Sequence, residues 1–572
     1  MSDSWLDKLD DLLGVLDEGS IGENRLSLVQ MDLIYTNTIK PFNLTSKMLL
    51  DQILHKKQSV ENTAFFVLEA AIFKESVETE RQQDFVELCS KVTSSLEIPN
   101  QNWNWIVTAN SHKSENYFYY RLRLLCALIY KVSTKDASVK DQSLILNLLA
   151  SLSYHIHPKL PWTSELNSKT IENFLANNNK VKAMIHSVIP LYIDKKLKPE
   201  LLNLSSTKGQ YIRNSLSNPK TTPAGYAIGN FGSTRLLQEG LRPKLGYGGT
   251  RTELIAEDQR QAWKSSTKVK SISMIWFVIY TITSNEYLDQ FWPLITSFIL
   301  NLIDDHDPLM KAQSCELLNH FMLTIDHSKD SKQHILLKTG LIDLLIESCK
   351  TCLTYLPNLT PSDQSYYLLS IAYPTVVKLC VLNCKKEANF LGLVELINGN
   401  ILSSVTHIHN RNGPNSNYPL LSLLFNQLDI IIKYYLKTNV LICLSRLNFT
   451  INQVMSNPDI FEEGIEGVNC IKSALNVQSS ILQSFKLLND REGLKLILNY
   501  KYDFLAVWTI LQKRLKHNLV KHSNVDVLDL CDLNCKLLIQ LSKECEANEF
   551  ENLQTDLKQI FKANPDVNFP LE

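Results

Sequence analysis

Two close cysteine pairs are the first residues in this 572-residue chain whose type and spacing suggest chemistry. Cys349-Lys-Thr-Cys352 precedes Cys380-Val-Leu-Asn-Cys384, and four thiolates could in principle hold a tetrahedral zinc ion. The second pair, however, is spaced i, i+4 in a strongly apolar helical run, and neither pair has the flanking glycine of a zinc knuckle. Buried, inert thiols are the expectation. No thioredoxin-like βαβ pattern surrounds Cys352, which argues against redox exchange. His155-Ile-His157 and His407-Ile-His409 have i, i+2 spacing, which on a helix points the two rings apart. No HExxH or His/Asp cluster accompanies them, so surface or helix-end positions are expected.

Gly229-Asn-Phe-Gly232 and Gly246-Tyr-Gly248-Gly249 offer the small residues of a phosphate cradle. Neither is followed by Lys-Ser/Thr or placed between a strand and a helix, so a solvated loop is the better reading. Asp304, Asp305 and Asp307 could be acid–base or metal carboxylates. Their position between two apolar segments makes helix capping a sufficient explanation. Nucleophile-elbow and kinase signatures are missing. The residues therefore predict no enzyme, no cofactor and no metal.

The elements that flank these aspartates are more informative than the aspartates themselves. Leu294, Ile295, Phe298, Ile299 and Leu302 paint one face of a 3.6-period helix. After the acidic turn, Pro308 suits a first helical position, where its missing N–H costs nothing. Met310, Ser314, Leu317, Leu318 and Phe321 then line one side of a second helix, with Lys311 near its start. A helix, an Asp-rich elbow, a basic residue and a second helix is the grammar of a HEAT-type repeat. Such a hairpin cannot bury its apolar face alone and needs stacked neighbours. The predicted fold is all-α, a HEAT-like α-solenoid of stacked antiparallel helical hairpins.

Composition agrees. Apolar residues make up 44 %, which excludes wholesale disorder. Glycine and proline number 18 and 19, few enough breakers to favour helix throughout. Lys plus Arg total 58 against 59 acidic residues, a net charge of −1 that removes the usual electrostatic drive for nucleic-acid binding. The N-terminal MSDSWLDKLDDLLG is acidic and amphipathic, unlike a signal or transit peptide, and the apolar run Ile272 to Ile282 is too short to span a bilayer. A soluble intracellular protein without membrane partners is expected, its 12 cysteines reduced.

Along the chain, Asn62 to Phe73, Phe85 to Leu96, Tyr117 to Tyr130, Ser143 to Ile156 and Ile171 to Ile193 read as helices. Eight glycines fall between Gly209 and Gly249 with Pro219, Pro223 and Pro243, and basic residues there face a single acid, Glu239. Helices resume with Met274 to Thr283 and the elbow hairpin. His334 to Leu356 and Tyr366 to Cys384 follow, with Thr360 as the expected N-cap and Pro361 as first helical residue. Leu420 to Lys437, Ile471 to Leu488, Gly493 to Tyr500, Phe504 to Leu519 and Val525 to Ser542 complete the array, with no strict period. The expected organisation is a helical region at 1–203, a Gly/Pro-rich basic insertion or linker at 204–267, and a C-terminal solenoid at 268–572.

Several of these segments occur in a particular order. Arg242-Pro243-Lys244-Leu245-Gly246-Tyr247 precedes Ala262-Trp263-Lys264 and the Leu302–Leu318 elbow. Lys338-Thr339-Gly340-Leu341, the stretch from Cys352 to Pro361, and Tyr373-Pro374 follow. That series, over about residues 240 to 385, resembles the family of the second Tel-two-interacting protein in a fungal form. The resemblance implies a non-enzymatic α-solenoid that assembles with Tel-two and the first Tel-two-interacting protein in the TTT co-chaperone complex. It implies work with the Hsp-ninety chaperone system on phosphatidylinositol-3-kinase-related kinases, the target-of-rapamycin and DNA-damage checkpoint kinases among them. An ASTRA and telomere link, in cytoplasm and nucleus, is also implied. Arg242, Trp263, Asp304, Asp305, Asp307 and Lys311 are the candidates for partner binding or for ordering the hairpin. The alternative reading is a transport or trafficking solenoid.

Overall fold

The computed structural model describes residues 82–100, 103–106, 115–133, 142–201, 261–282, 285–326, 335–357, 359–387, 390–409, 417–461, 464–486, 491–517 and 524–565, with isolated positions 69, 72, 567, 569 and 570. Arg242, the glycine-rich motifs and the N-terminal amphipathic stretch lie outside the described residues. Among those described there is no strand, and the bridge between Pro357 and Thr360 is isolated. Two compact units result, Met1–Ser297 with His320–Lys329, and Phe298–Asn319 with Asp330–Glu572.

The first unit contains α1 (Gln82–Ser95), α2 (Glu115–Ser133), α3 (Gln142–Ser153), α4 (Glu165–Asn177), α5 (Asn179–Tyr192) and α6 (Ser271–Thr281). Helix α2 packs on α1, α3, α4 and α5, while α6 packs on α3 and α5. Helices on both sides of the 204–267 segment thus share one core. The sequence reads Ile171 to Ile193 as one helical stretch, but the chain breaks it at Asn178. There the backbone is extended, at φ −117° and ψ 93°. The Asn178 side-chain amide donates to Phe174 O at 2.7 Å, and its carbonyl accepts from Lys182 N–H at 3.0 Å. Asparagine competes with the helix ladder in this way, closing one helix and opening the next.

Helices α7 (Asn285–Ile303) and α8 (Pro308–Asp326) contain the boundary between the units. The second unit continues with α9 (Leu341–Cys352), α10 (Ser362–Glu387), α11 (Leu402–His409), α12 (Tyr418–Ile430), α13 (Leu444–Met455) and α14 (Gly464–Lys486). It ends with α15 (Arg491–Leu498), α16 (Lys501–His517), α17 (Asn524–Cys545) and α18 (Ala547–Ala563). Helices α9/α10, α11/α12, α13/α14 and α16/α17 pair as successive hairpins. One row of contacts runs α10, α12, α14, α17, and a second runs α11, α13, α16. This is the stacked-hairpin architecture of a HEAT-like solenoid.

Side-chain bonds between successive hairpins fix their register. Asn319 donates to Thr375 Oγ1 at 2.7 Å, Ser480 to Asp429 at 2.5 Å, and Asn534 to Leu475 O at 3.1 Å. Their partners lie 56, 51 and 59 residues apart, beyond the ~40–47 of an ordinary HEAT unit. Trp508 Nε1 donates to Gln478, whose amide donates to Asn452, tying α16 through α14 to α13. Gly467 permits another close approach, since a Cβ there would lie 1.7 Å from Ile460 O. A stretch of α10, Ser362–Asn383, is long and apolar enough to cross a membrane by length and composition, yet most of it is buried in the unit. Its helix starts one residue later than Thr360/Pro361 capping predicts, with Pro361 O accepting from Ser365 N–H at 2.9 Å.

Candidate functional site

The acidic elbow is built by local capping. Helix α7 ends as Asp304 and Asp305 N–H donate to Leu300 O and Leu302 O at 3.0 and 3.2 Å. The Asp305 carboxylate then accepts from Asp307 N–H at 2.8 Å, which turns the chain. Asp307 is the N-cap of α8: its carboxylate accepts from Leu309 N–H at 2.9 Å and its carbonyl from Lys311 N–H at 3.1 Å. Pro308 occupies the first helical position, and a cap of this kind contributes about 1 kcal/mol.

Lys311 reaches backward rather than outward. It is 5 % exposed, and its ammonium donates to Ile303 O, one of the carbonyls orphaned at the end of α7. A cation at a helix C-terminus is also favoured by the macrodipole. The Tyr355 ring lies 5.4 Å from the same ammonium, and the Tyr355 hydroxyl donates to His306 O at 3.4 Å. Burial first, then the nearby Cys352 thiol and the Asp305 and Asp307 carboxylates, hold that phenol above its ordinary range. Asp305 is buried as well, whereas Asp304 and His306 are exposed. The geometry makes Asp305, Asp307 and Lys311 the clasp of the hairpin.

Helix α8 departs from the amphipathic reading. Every residue from Met310 to Leu318 is buried, Gln313, Ser314 and Glu316 included. Ser314 donates to Ile299 O at 2.7 Å and Gln313 to Tyr367 Oη at 3.3 Å, so polar residues face neighbours on more than one side. Cys315 on this helix meets Cys349 and Cys352 of α9, all three fully buried. The sequence pairs Cys349 and Cys352 with Cys380 and Cys384; the fold supplies Cys315 as their neighbour. Hydrogen bonding among the thiols and burial push Cys315 and Cys352 well up, which suppresses thiolate chemistry. The Cys384 side chain lies outside the described residues, and Cys380 is buried.

His155 and His157 correct the surface expectation. Both are 0 % exposed, and they sit not on a helix but in the connector between α3 and α4. The Trp162 indole donates to Tyr154 O at 2.9 Å, Thr163 to His155 O at 2.9 Å and Ser168 to Ile156 O at 2.5 Å. The His155 ring bonds Leu96 O at 3.0 Å, and Ser273 accepts from His157 N–H at 3.2 Å. A buried loop must find partners for its backbone in this way. Against Trp276 stand His157, with ring centroids 4.1 Å apart, and His320, stacked at 3.9 Å. Burial holds all three histidines below their ordinary range, His155 and His320 at about 4. His407 is exposed and His409 half-buried in the last turn of α11, as expected.

Trp263 is buried in the first unit, its carbonyl accepting from Ser266 Oγ at 2.8 Å. A cavity of about 730 Å³ in that unit is lined mainly by apolar atoms, with Leu175, Ile185, Tyr280, His320 and Leu323 in its wall. Among the described residues no group of three or more His, Cys, Asp or Glu could hold a metal ion. These elements brace helices.

Comparison with known proteins adds a family. The model described as the Tti2 family matches residues 148–462. No curated protein matches the chain. A solved structure of Kap95p binding RanGDP, concerned with nuclear import complex assembly, is 12 % identical, covering 100 % of this chain and 76 % of that one. Its TM-score of 0.31 is too low to support an inference.

Proposed function

We propose a function from one premise: the chain belongs to the Tti2 family. Membership makes it a scaffold-type subunit of the TTT complex. Beyond that, our reading is that it binds Tel-two and the first Tel-two-interacting protein and performs no turnover of its own. With the Hsp-ninety chaperone machinery it would promote maturation and stability of phosphatidylinositol-3-kinase-related kinases, in cytoplasm and nucleus. The ASTRA and telomere connections belong to the same proposal.

The family match over residues 148–462 is the observation that supports this reading. The physical logic agrees with it. Stacked hairpins present long surfaces to large partners, and area of that kind suits a scaffold. Tagging the chain at its native level and identifying co-purified proteins by mass spectrometry tests the proposal. Tel-two, the first Tel-two-interacting protein and the giant kinases are the expected partners, and depletion of the chain lowers kinase abundance. Recovery of soluble cargo that a Ran nucleotide switch releases, with neither TTT subunit present, would overturn it in favour of a transport solenoid.

A further inference from the structure

The cavity of about 730 Å³ lies wholly within the first unit, walled by the first half of α5, the last turns of α4 and α6, and the end of α8 from His320 onward. Its size falls in the range of ~300–1,000 Å³ found for clefts that take a small ligand. Leu175 and Ile185 are buried in its wall, whereas Leu323 is 47 % exposed. Among the described residues of that unit, the other large apolar side chain left so open is Val86. Open apolar surface therefore coincides with a hollow able to receive a ligand.

The hydroxyls of the wall have already given up their protons to main-chain carbonyls. Thr281 donates to Phe277 O at 2.9 Å and Thr324 to His320 O at 3.0 Å, each within its own helix. Tyr280 donates to Glu172 O at 3.4 Å. The His320 ring stacks on Trp276 and stays neutral at pH 7, because burial lowers its titration to about 4. A peptide laid in this hollow would find no hydroxyl proton for its carbonyls, which are costly to bury unbonded. A hydrocarbon body has no such groups and fits the wall better.

Charge selects the other end of the ligand. No Asp or Glu lies in the wall, and Lys182 is its one full charge. The Lys182 ammonium forms no ion pair or hydrogen bond among the described residues. Glu172, one turn before Leu175, instead accepts from Ser168 Oγ at 3.4 Å. His186 stands one turn beyond Lys182 on α5, its ring against Tyr287 at 4.6 Å. Lys182 is also close to the start of α5, whose N-cap Asn178 makes no side-chain cap bond, and that end of a helix favours an anion.

We propose that this cavity binds a monocarboxylate with a long apolar chain, a molecule of the fatty-acid type. The chain lies against Leu175, Ile185 and Leu323, and the carboxylate meets the Lys182 ammonium. The site is separate from the scaffold reading, so either can fail without the other.

The test titrates decanoate, below its micelle-forming concentration, into the purified full chain in a calorimeter. Saturable binding of about one molecule per chain is expected. Decylammonium, the same chain with the opposite charge, binds at least about fivefold more weakly, the scale of a solvent-exposed ion pair. Lys182→Gln weakens decanoate binding by a similar factor and Lys182→Arg retains it. Leu323→Glu sets a carboxylate in the path of the apolar chain and abolishes binding. Circular dichroism of each variant matches the wild type, because both positions are exposed. Absence of saturable binding to the wild-type chain, many molecules bound per chain, equal affinity for decylammonium, or indifference to Lys182→Gln or to Leu323→Glu would each overturn the site.

Discussion

Replacing Lys311 with methionine isolates the clasp of the elbow, because the side-chain length stays while the ammonium goes. The variant loses a charge-assisted bond to Ile303 O, worth about 1.5–3 kcal/mol, and leaves that carbonyl short of a partner. It also loses a cation at the C-terminus of α7, a contribution of about 0.3–2 kcal/mol. Working against these is relief of burying an ammonium at 5 % exposure, which costs several kcal/mol when unpaired. That relief is partial here, since Tyr355 and the Ile303 carbonyl already replace part of the hydration. The net expectation is a local loss of about 2 kcal/mol. Lys311→Ala should cost more, because a cavity adds to the lost bond.

A long repeat array does not unfold in one step, so global denaturation is the wrong readout. Amide hydrogen exchange across residues 305–312 reports the hairpin itself. A loss of 2 kcal/mol should speed exchange there about 30-fold. Wild-type or slower exchange in Lys311→Met would show that packing and the Asp307 cap suffice, and that the lysine is not the clasp.

Two further outcomes follow from the structure. His155 and His320 titrate at about 4 when folded against an ordinary 6.5, so the unfolded chain binds more protons between those values. Their contribution is complete above pH 6.5 and falls through the window down to about 4, by roughly 1.4 kcal/mol per pH unit for each histidine. Exchange protection in α3 and α6 should therefore drop on acidification, and His320→Phe should flatten the slope; an unchanged slope would contradict the assignment. Lys437→Gly relieves the positive φ, 49°, in the connection between α12 and α13 and should slow exchange around α13, a gain of about 1 kcal/mol offset in part by unfolded-state entropy. Faster exchange would mean that the conformation carries no strain.

Much of the elbow was legible because capping is local. Asp307 and Pro308 need only the next few amides, so the residue types suffice to place them. Helix existence was legible for the same reason wherever apolar spacing was strong, as in α7 and α12. Helix α13 carries a weaker signal of the same kind: Leu444, Leu447, Ile451 and Val454 recur at helical intervals behind polar neighbours. The break at Asn178 was hidden in a continuous apolar pattern, although three successive asparagines at 177–179 were its mark.

The amino-acid order alone determined an all-helical chain, its capped elbow and the need for stacking, since propensity and capping act within a few residues. It also supported a family resemblance that the match over residues 148–462 bears out. Tertiary structure decided which polar residues are inside. Lys311, Gln313, His155 and His157 are hydrophilic by type, and they are buried because partners from other segments meet them. Cys315 joins Cys349 and Cys352 only when α8 lies on α9. Phe449, apolar by type, is left outside because α13 spends its other face on the core. Burial depends on what stacks against a helix, and one hairpin's sequence does not contain its neighbour's surface.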